Sequence, residues 1–274
     1  MVAVPVGVTE IYYLCSVKKR YFIYLSYLGT NYHGWQIQPN GSSIQEVLTT
    51  ALRTVLGDDD IEIVGAGRTD TGVHARLMTA HFDSKSAIAE KQSFIGRMNG
   101  FLPFDIAVHD LKEVKPDAHA RFDAIGRCYE YHVTERKNVF KKNLVTRIGF
   151  KPDYERMNEA AAVLRNYTDF TSFSKRHTDV KTNNCIVARA EWTRKDDEWI
   201  FTIEADRFLR NMVRAIVGTL FEVGKGKITL DEFHEIITAK DRCRAGASVP
   251  AQGLYLVDIG YPDELFVVNE RENT

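Results

Sequence analysis

The chain has 274 residues, which as a soft prior suggests two domains and is long enough to bury a core without staples. Hydrophobic residues make up 44% and charged residues 27%, with 18 Gly and 7 Pro, which excludes collagen-like and linker-dominated chains; no charge-free apolar run reaches the roughly 18 residues of a membrane span. The formal net charge is −1, but residues 120–150 hold seven cations against three anions and residues 258–274 hold five anions against one cation, so a neutral total hides a basic face.

In chain order, residues 1–17 are mildly apolar, with cations placed after the apolar part. That is the wrong order for a signal peptide, and the segment is read as an extension outside the fold. Arg20–Gly29 is aromatic and β-branched and predicts a strand. A polar loop, NYHGWQIQPNG, follows. The next segment is a helix, with Ile44, Val47, Leu48, Ala51, Leu52, Val55 and Leu56 on one face, a Ser43–Glu46 capping box and Gly57 as its stop. A short strand ends at Gly65, the loop AGRTDTGVHA follows, and RLMTAHFD alternates as a strand. A helix over Ala89–Asn99, closed by Gly100, and a strand over Ile106–Val114 complete the first half.

The second half repeats this plan after a break near 115–120. It offers a strand over Gly126–Val133, a helix over Tyr154–Asn166 capped by Asp153, and a hairpin turning at KDDE. A long helix from about Phe208, a last helix boxed by Thr229 and Glu232, and a closing strand over Gly253–Tyr261 follow. The order suits an α+β fold with a mostly antiparallel sheet flanked by helices, in two similar halves, 18–117 and 118–274.

The four cysteines form no CxxC and are widely spaced, so neither a disulfide framework nor a cysteine zinc site is expected, and a reduced cytosol is the simplest setting. The loop from Gly65 to His74 is the densest candidate site. As a phosphate loop it fails, because Val73-His74 replaces the Lys-Ser/Thr pair. As a dinucleotide fingerprint it fails, because Asp70 stands where the third glycine belongs and would repel a pyrophosphate. A third reading is a loop that presents Arg68 and Asp70 on one face of extended backbone. An aspartate in a Gly-rich turn also caps local amides, so spacing alone leaves both readings open. Asp70, His74 and His81 would suit a metal only if residues 70–74 were helical, which the glycines oppose.

The stretch GRTDTGVHA resembles the signature of the pseudouridine synthase superfamily, and specifically that of the tRNA pseudouridine synthase A family. Further stretches resemble that family in its order: YLGTNYHGWQIQPNGSSIQEVL, ARFDAIGRCYEYHV, DFTSF, FLRNMVRAIVGTLFEVG and AQGLYLVDIGYP, from about Arg20 to Pro262. The family's GRTD is most often followed by Ala, where this chain has Thr71.

The resemblance implies a homodimeric cytoplasmic isomerase that converts uridine to pseudouridine at positions 38, 39 and 40 of the tRNA anticodon stem-loop. It implies neither metal nor organic cofactor. It places the catalytic carboxylate at Asp70, where a group with a reference pKa of ~3.9 is ionised at neutral pH and can attack carbon or take a proton. Arg68 would hold Asp70 and fill the gap left by a flipped nucleotide. Tyr129, on one strand face with Arg127 and Tyr131, would stack on the uracil and help move the C5 proton. Arg214 would pair with Asp70, and Leu254 would line the uracil pocket. From the residues themselves, Arg207, Arg210 and Arg214 at i, i+3 and i+7 predict one helix face, and Lys175-Arg176-His177 offers a track for RNA backbone. The competing expectations are a non-catalytic tRNA-binding or folding module, a related synthase with another RNA target, and a metal- or nucleotide-dependent enzyme.

Overall fold

The computed structural model describes residues 18–175 and 181–267; the predicted extension (1–17), Arg176 and His177 lie outside the described residues. Its strands are β1 (Lys19–Tyr27), β2 (Ile63–Gly65), β3 (His74–Ser84), β4 (Ile106–Val114), β5 (Gly126–Thr134), β6 (Thr146–Arg147), β7 (Val187–Lys195), β8 (Glu198–Ala205) and β9 (Leu254–Gly260). Its helices are α1 (Ile44–Leu56), α2 (Lys91–Phe101), α3 (Tyr154–Val163), α4 (Met212–Gly224) and α5 (Leu230–Thr238).

The strands join in one sheet of order β4-β1-β3-β9-β5-β8-β7, with β2 added to β3 and β6 to β5. Neighbours run antiparallel except for β3 with β9 and β5 with β6. This is the expected α+β architecture. The last strand in sequence is thus the middle strand in space. One apolar cluster packs β1, β3 and β4 against α1 and α2, and a second packs β5, β7 and β8 against α3, α4 and α5. Tyr129 touches both clusters.

The helix ends follow local chemistry, with instructive departures. Ser43 Oγ accepts the Glu46 amide at 3.3 Å, and Gly57 closes α1 in the left-handed region at φ 64°. The reciprocal bond of the predicted capping box does not form there, whereas the Thr229–Glu232 box is complete. Asp153 caps α3 through the amides of Glu155 and Arg156, and α3 gives way at Leu164 to a 3-10 turn through Asn166. Gly100 does not stop α2. The helix runs through Phe101 and ends at Leu102, which Pro103 forces into extended backbone (ψ 146°).

The main correction concerns α4, which begins at Met212 rather than near Phe208. Asn211 stands at φ 65°, a left-handed conformation that a helix interior cannot hold and that asparagine tolerates. Arg207 and Arg210 therefore lie in the loop before α4, and the predicted arginine stripe with Arg214 does not exist as a helix face.

His81 on β3 is buried, and its Nδ1 accepts the Ala120 amide at 3.1 Å. Burial, aided by the Arg20 charge, pushes its pKa down to about 4. An unfolded histidine takes up its proton near pH 6.5, so between pH 6.5 and 4 the unfolded chain binds more protons and the fold loses stability as pH falls. The loss amounts to about 3 kcal/mol at the lower end. Urea midpoints at pH 7 and 4.5 should fall further for the wild type than for His81→Asn, which keeps an acceptor at the Nδ1 position. Equal losses would remove His81 from this account.

Candidate active site

The signature loop leaves β2 at Gly65 and enters β3 at His74. Its course is fixed by the first half of the chain. The Ala66 amide donates to Thr79 O at 2.8 Å, the Tyr27 and Thr69 hydroxyls meet at 2.9 Å, and the Trp35 amide donates to Thr69 O at 3.3 Å. The polar loop after β1 thus braces the signature loop from outside. Gly34 permits this contact: it has φ 86°, and a Cβ there would stand 2.3 Å from Thr69 O. The Val73 amide then donates to Asp70 O at 3.1 Å, closing a turn whose third residue, Gly72, has φ 79°, the type II pattern.

This turn is closed by backbone, and the Asp70 carboxylate accepts no amide within it among the described residues. The carboxylate looks across the molecule instead. Arg214 Nη1 donates to Asp70 Oδ2 at 3.0 Å, over 144 residues of sequence. Arg214 is held in turn by its Nε, which donates to Val249 O at 2.8 Å. Helix α4 has no acidic residue in its first turn and no side-chain cap, so a cation there is opposed by the helix dipole. The Asp70 carboxylate supplies the negative charge that this turn lacks. Asp70 is 28% exposed, so the pair is open on one side.

Arg210 also reaches the carboxylate, with Nε 3.9 Å from Oδ1. Sequence spacing had placed Arg210 beside Arg214 on a helix. The left-handed Asn211 instead brings it to the same carboxylate from the loop. Arg68 behaves differently from expectation: it is exposed, and no ion pair joins it to Asp70 or to any other described residue. Arg68 is left to solvent, and the partner of Asp70 comes from α4.

Tyr129 on β5 faces Phe208 edge-on, with ring centroids 5.0 Å apart. Burial pushes the phenol up to about 12, with the Arg127 charge working against the shift and the Asp70 charge adding to it. Tyr129 and Asp70 are thus electrostatic neighbours. Tyr131, two residues on, is fully buried; its hydroxyl meets Thr146 Oγ1 at 2.7 Å and donates to Pro250 O at 2.9 Å. It is a core residue. Leu254 opens β9 opposite Tyr131 and is buried in the second cluster. The Lys175 amide donates to Arg210 O at 3.1 Å, which sets the end of the DFTSF segment beside the arginine loop.

His74 is fully buried, and backbone groups occupy both ring nitrogens. Nδ1 accepts the Gly29 amide at 3.0 Å, while Nε2 faces Asn143 O at 3.0 Å and Gln252 O at 3.2 Å. That pattern is a neutral ring protonated on Nε2, and burial lowers its pKa accordingly. No cluster of three or more metal-ligating side chains occurs among the described residues.

Arg127 carries a role that its place on the strand face did not disclose. Its guanidinium donates to Ala66 O at 3.0 Å, Arg121 O at 2.8 Å and Asp206 O at 3.0 Å. It ties the root of the signature loop to the segment that leads into the Arg210 loop. Three carbonyls distributed over 140 residues leave no local signal in sequence.

Comparison with known proteins follows the same lines. A family model described as tRNA pseudouridine synthase matches residues 23–123 and 160–262. The tRNA pseudouridine synthase A of Bacteroides thetaiotaomicron is 57% identical over 251 residues, covering 90% of this chain and 93% of the relative. That of Parabacteroides distasonis is 56% identical over 252 residues, covering 92% and 100%. That of Bacteroides fragilis is 57% identical over 249 residues, covering 90% and 98%. This chain belongs to the tRNA pseudouridine synthase A family.

Proposed function

We propose that this protein isomerises uridine to pseudouridine in tRNA, at positions 38, 39 and 40 of the anticodon stem-loop, with Asp70 as the catalytic carboxylate. The observation that carries the assignment of Asp70 is its ion pair with Arg214: a carboxylate not used by its own turn, fixed from a distant helix and open to solvent on one side. In the reaction the C1′–N1 bond breaks, the uracil turns, and C1′ bonds to C5. C5 gives up a proton and N1 gains one. Composition is unchanged, so the balance calls for no oxidant, reductant or group donor.

Arg214 leaves Oδ1 as the freer carboxylate oxygen by holding Oδ2. A carboxylate so placed serves either route, attack at C1′ or proton removal at C2′. Tyr129 is a neutral phenol at working pH and has no hydrogen-bond partner among the described residues. It is suited to stack on the uracil and to relay the C5 proton. Leu254 forms part of the apolar wall behind the base. Arg68, exposed beside Asp70, takes the space of a nucleotide drawn out of its stack. Lys175 and Arg176 contact RNA backbone. The protein acts as a homodimer in the cytoplasm, without metal or organic cofactor. No helix among the described residues is long and apolar enough to cross a membrane.

Tritium release from tRNA labelled at uracil C5 tests the assignment. Asp70→Ala and Asp70→Asn should lower release by about 10³-fold or more while tRNA affinity stays within about threefold. Substantial residual turnover would sink the role of Asp70, and binding without release by the wild type would favour a non-catalytic module. Tyr129→Phe should lower kcat far more than it alters KM. Because burial holds the phenol near 12, the single-turnover rate of the wild type should show no fall from this group between pH 8 and 10. An alkaline fall that disappears in Tyr129→Phe would show a phenol titrating near its ordinary value and overturn the proton-relay role.

A further inference from the structure

We infer that Arg210 is a substrate-positioning residue: it leaves Asp70 to receive the backbone phosphate beside the target uridine. This rests on the reading of Asp70 as the catalytic carboxylate. Two arginines share that carboxylate, and they are built differently. Arg214 is 21% exposed, hydrogen-bonded to Oδ2 at 3.0 Å and anchored by Val249 O. Its own carbonyl accepts the Val249 amide at 3.2 Å, so backbone and side chain are both fixed. Arg210 is 58% exposed, and its Nε stands 3.9 Å from Oδ1, beyond hydrogen-bond length. The first is a fixed pair. The second is a loose, solvent-screened attraction that another anion can replace.

The backbone of Arg210 is nevertheless fixed. Its carbonyl accepts the Lys175 amide at 3.1 Å, and the adjoining Asn211, at φ 65°, donates from Nδ2 to Ser248 Oγ at 2.6 Å. Ser248 Oγ is held in turn by Arg242 Nη2 at 2.9 Å. A fixed Cα with an exposed, loosely held guanidinium at the edge of a carboxylate is the arrangement of an anion receiver.

The substrate supplies the anion. A carboxylate working at C1′ or C2′ of a ribose is brought close to the phosphodiester that flanks it, and the two negative charges repel. A cation poised between them offsets that repulsion. The guanidinium fork matches two phosphate oxygens, a better fit than its present single long contact with Asp70. As Arg210 turns to the phosphate it uncovers Oδ1 while Arg214 keeps Oδ2. Arrival of the correct nucleotide therefore opens the reacting oxygen.

The test combines protein variants with a modified RNA. Relative to wild type, Arg210→Ala should raise KM and Kd for tRNA about tenfold, with kcat at saturation within about threefold. The slope of log affinity against log salt should become shallower by about one, as for one lost phosphate contact. Arg210→Lys, which keeps the charge without the fork, should recover the slope and part of the affinity. A stem-loop RNA with a single charge-neutral methylphosphonate, placed in turn 5′ and 3′ of the target uridine, should weaken wild-type binding at one of the two positions. It should have little further effect on Arg210→Ala. An unchanged salt slope, fully additive losses, or a fall in kcat with KM unaltered would each overturn the inference; a merely structural role moves the melting temperature and leaves the slope alone. If wild-type protein released no tritium from any tRNA, the proposed function would fail, while the binding series would still decide the phosphate contact.

Discussion

The segment Val249–Leu256 is the constraint on which the site depends. Almost every residue in it grips a different part of the candidate site. Val249 exchanges both of its backbone polar groups with Arg214, and Pro250 O accepts from Tyr131. Ala251 lies against Gly72 closely enough that a Cβ on the glycine would touch it at 3.6 Å. Gln252 O faces His74, and Gly253 passes so close to Thr146 Oγ1 and His132 O that any Cβ would meet them below 3 Å. Tyr255 and Leu256 then pair with His74 and Ala75, the first two residues after the signature loop. A strand made last in the chain thus sits between the two halves of the sheet and sets the loop from one half against the helix and tyrosines of the other.

That arrangement explains how a partly exposed ion pair carries so much of the geometry. Water and salt screen such a pair from its open side, and the cost of desolvating its closed side offsets the Coulomb gain. The Asp70–Arg214 pair is thus weak as a fastening. The loop is held by Thr69, Ala66 and the Asp70 carbonyl, and the arginine by Val249 and the first turn of α4. The pair reports a distance already imposed by hydrogen bonds on both sides. Its value lies in orientation: one carboxylate oxygen is bonded to Arg214, and the other meets only the looser Arg210.

What the sequence made legible follows from how locally each feature is determined. Helix α1 and strand β4 were readable because their periodicity and stop signals lie within a few residues. The boundaries of α2 and α4 were not. Gly100 looked like a stop, but the steric demand of Pro103 on Leu102 decided the end. The apolar run from Phe208 looked continuous, but one left-handed residue, Asn211, displaced the start and removed Arg207 and Arg210 from the helix. Asp70, Tyr129 and Arg214 were legible through motif resemblance, since nothing in spacing relates positions 144 apart. Arg127 was seen on its strand face without its purpose, because the carbonyls it binds come from three separate segments.

The signature loop also answers the question its composition left open. An aspartate in a glycine-rich turn ordinarily uses its carboxylate to satisfy nearby amides. Here the Asp70 carbonyl closes the turn, and Gly72 supplies the backbone angle that lets it do so. The carboxylate is released from structural duty at the position where a fixed cation pairs with it and a neutral phenol lies within electrostatic reach. His74, four residues on, shows the opposite assignment: a chemically capable side chain whose two nitrogens are fully spent on Gly29, Asn143 and Gln252. Within one short stretch, the side chain without local partners is available for chemistry, and the side chain with every partner filled is architecture. Residue type alone does not separate the two; the accounting of hydrogen bonds does.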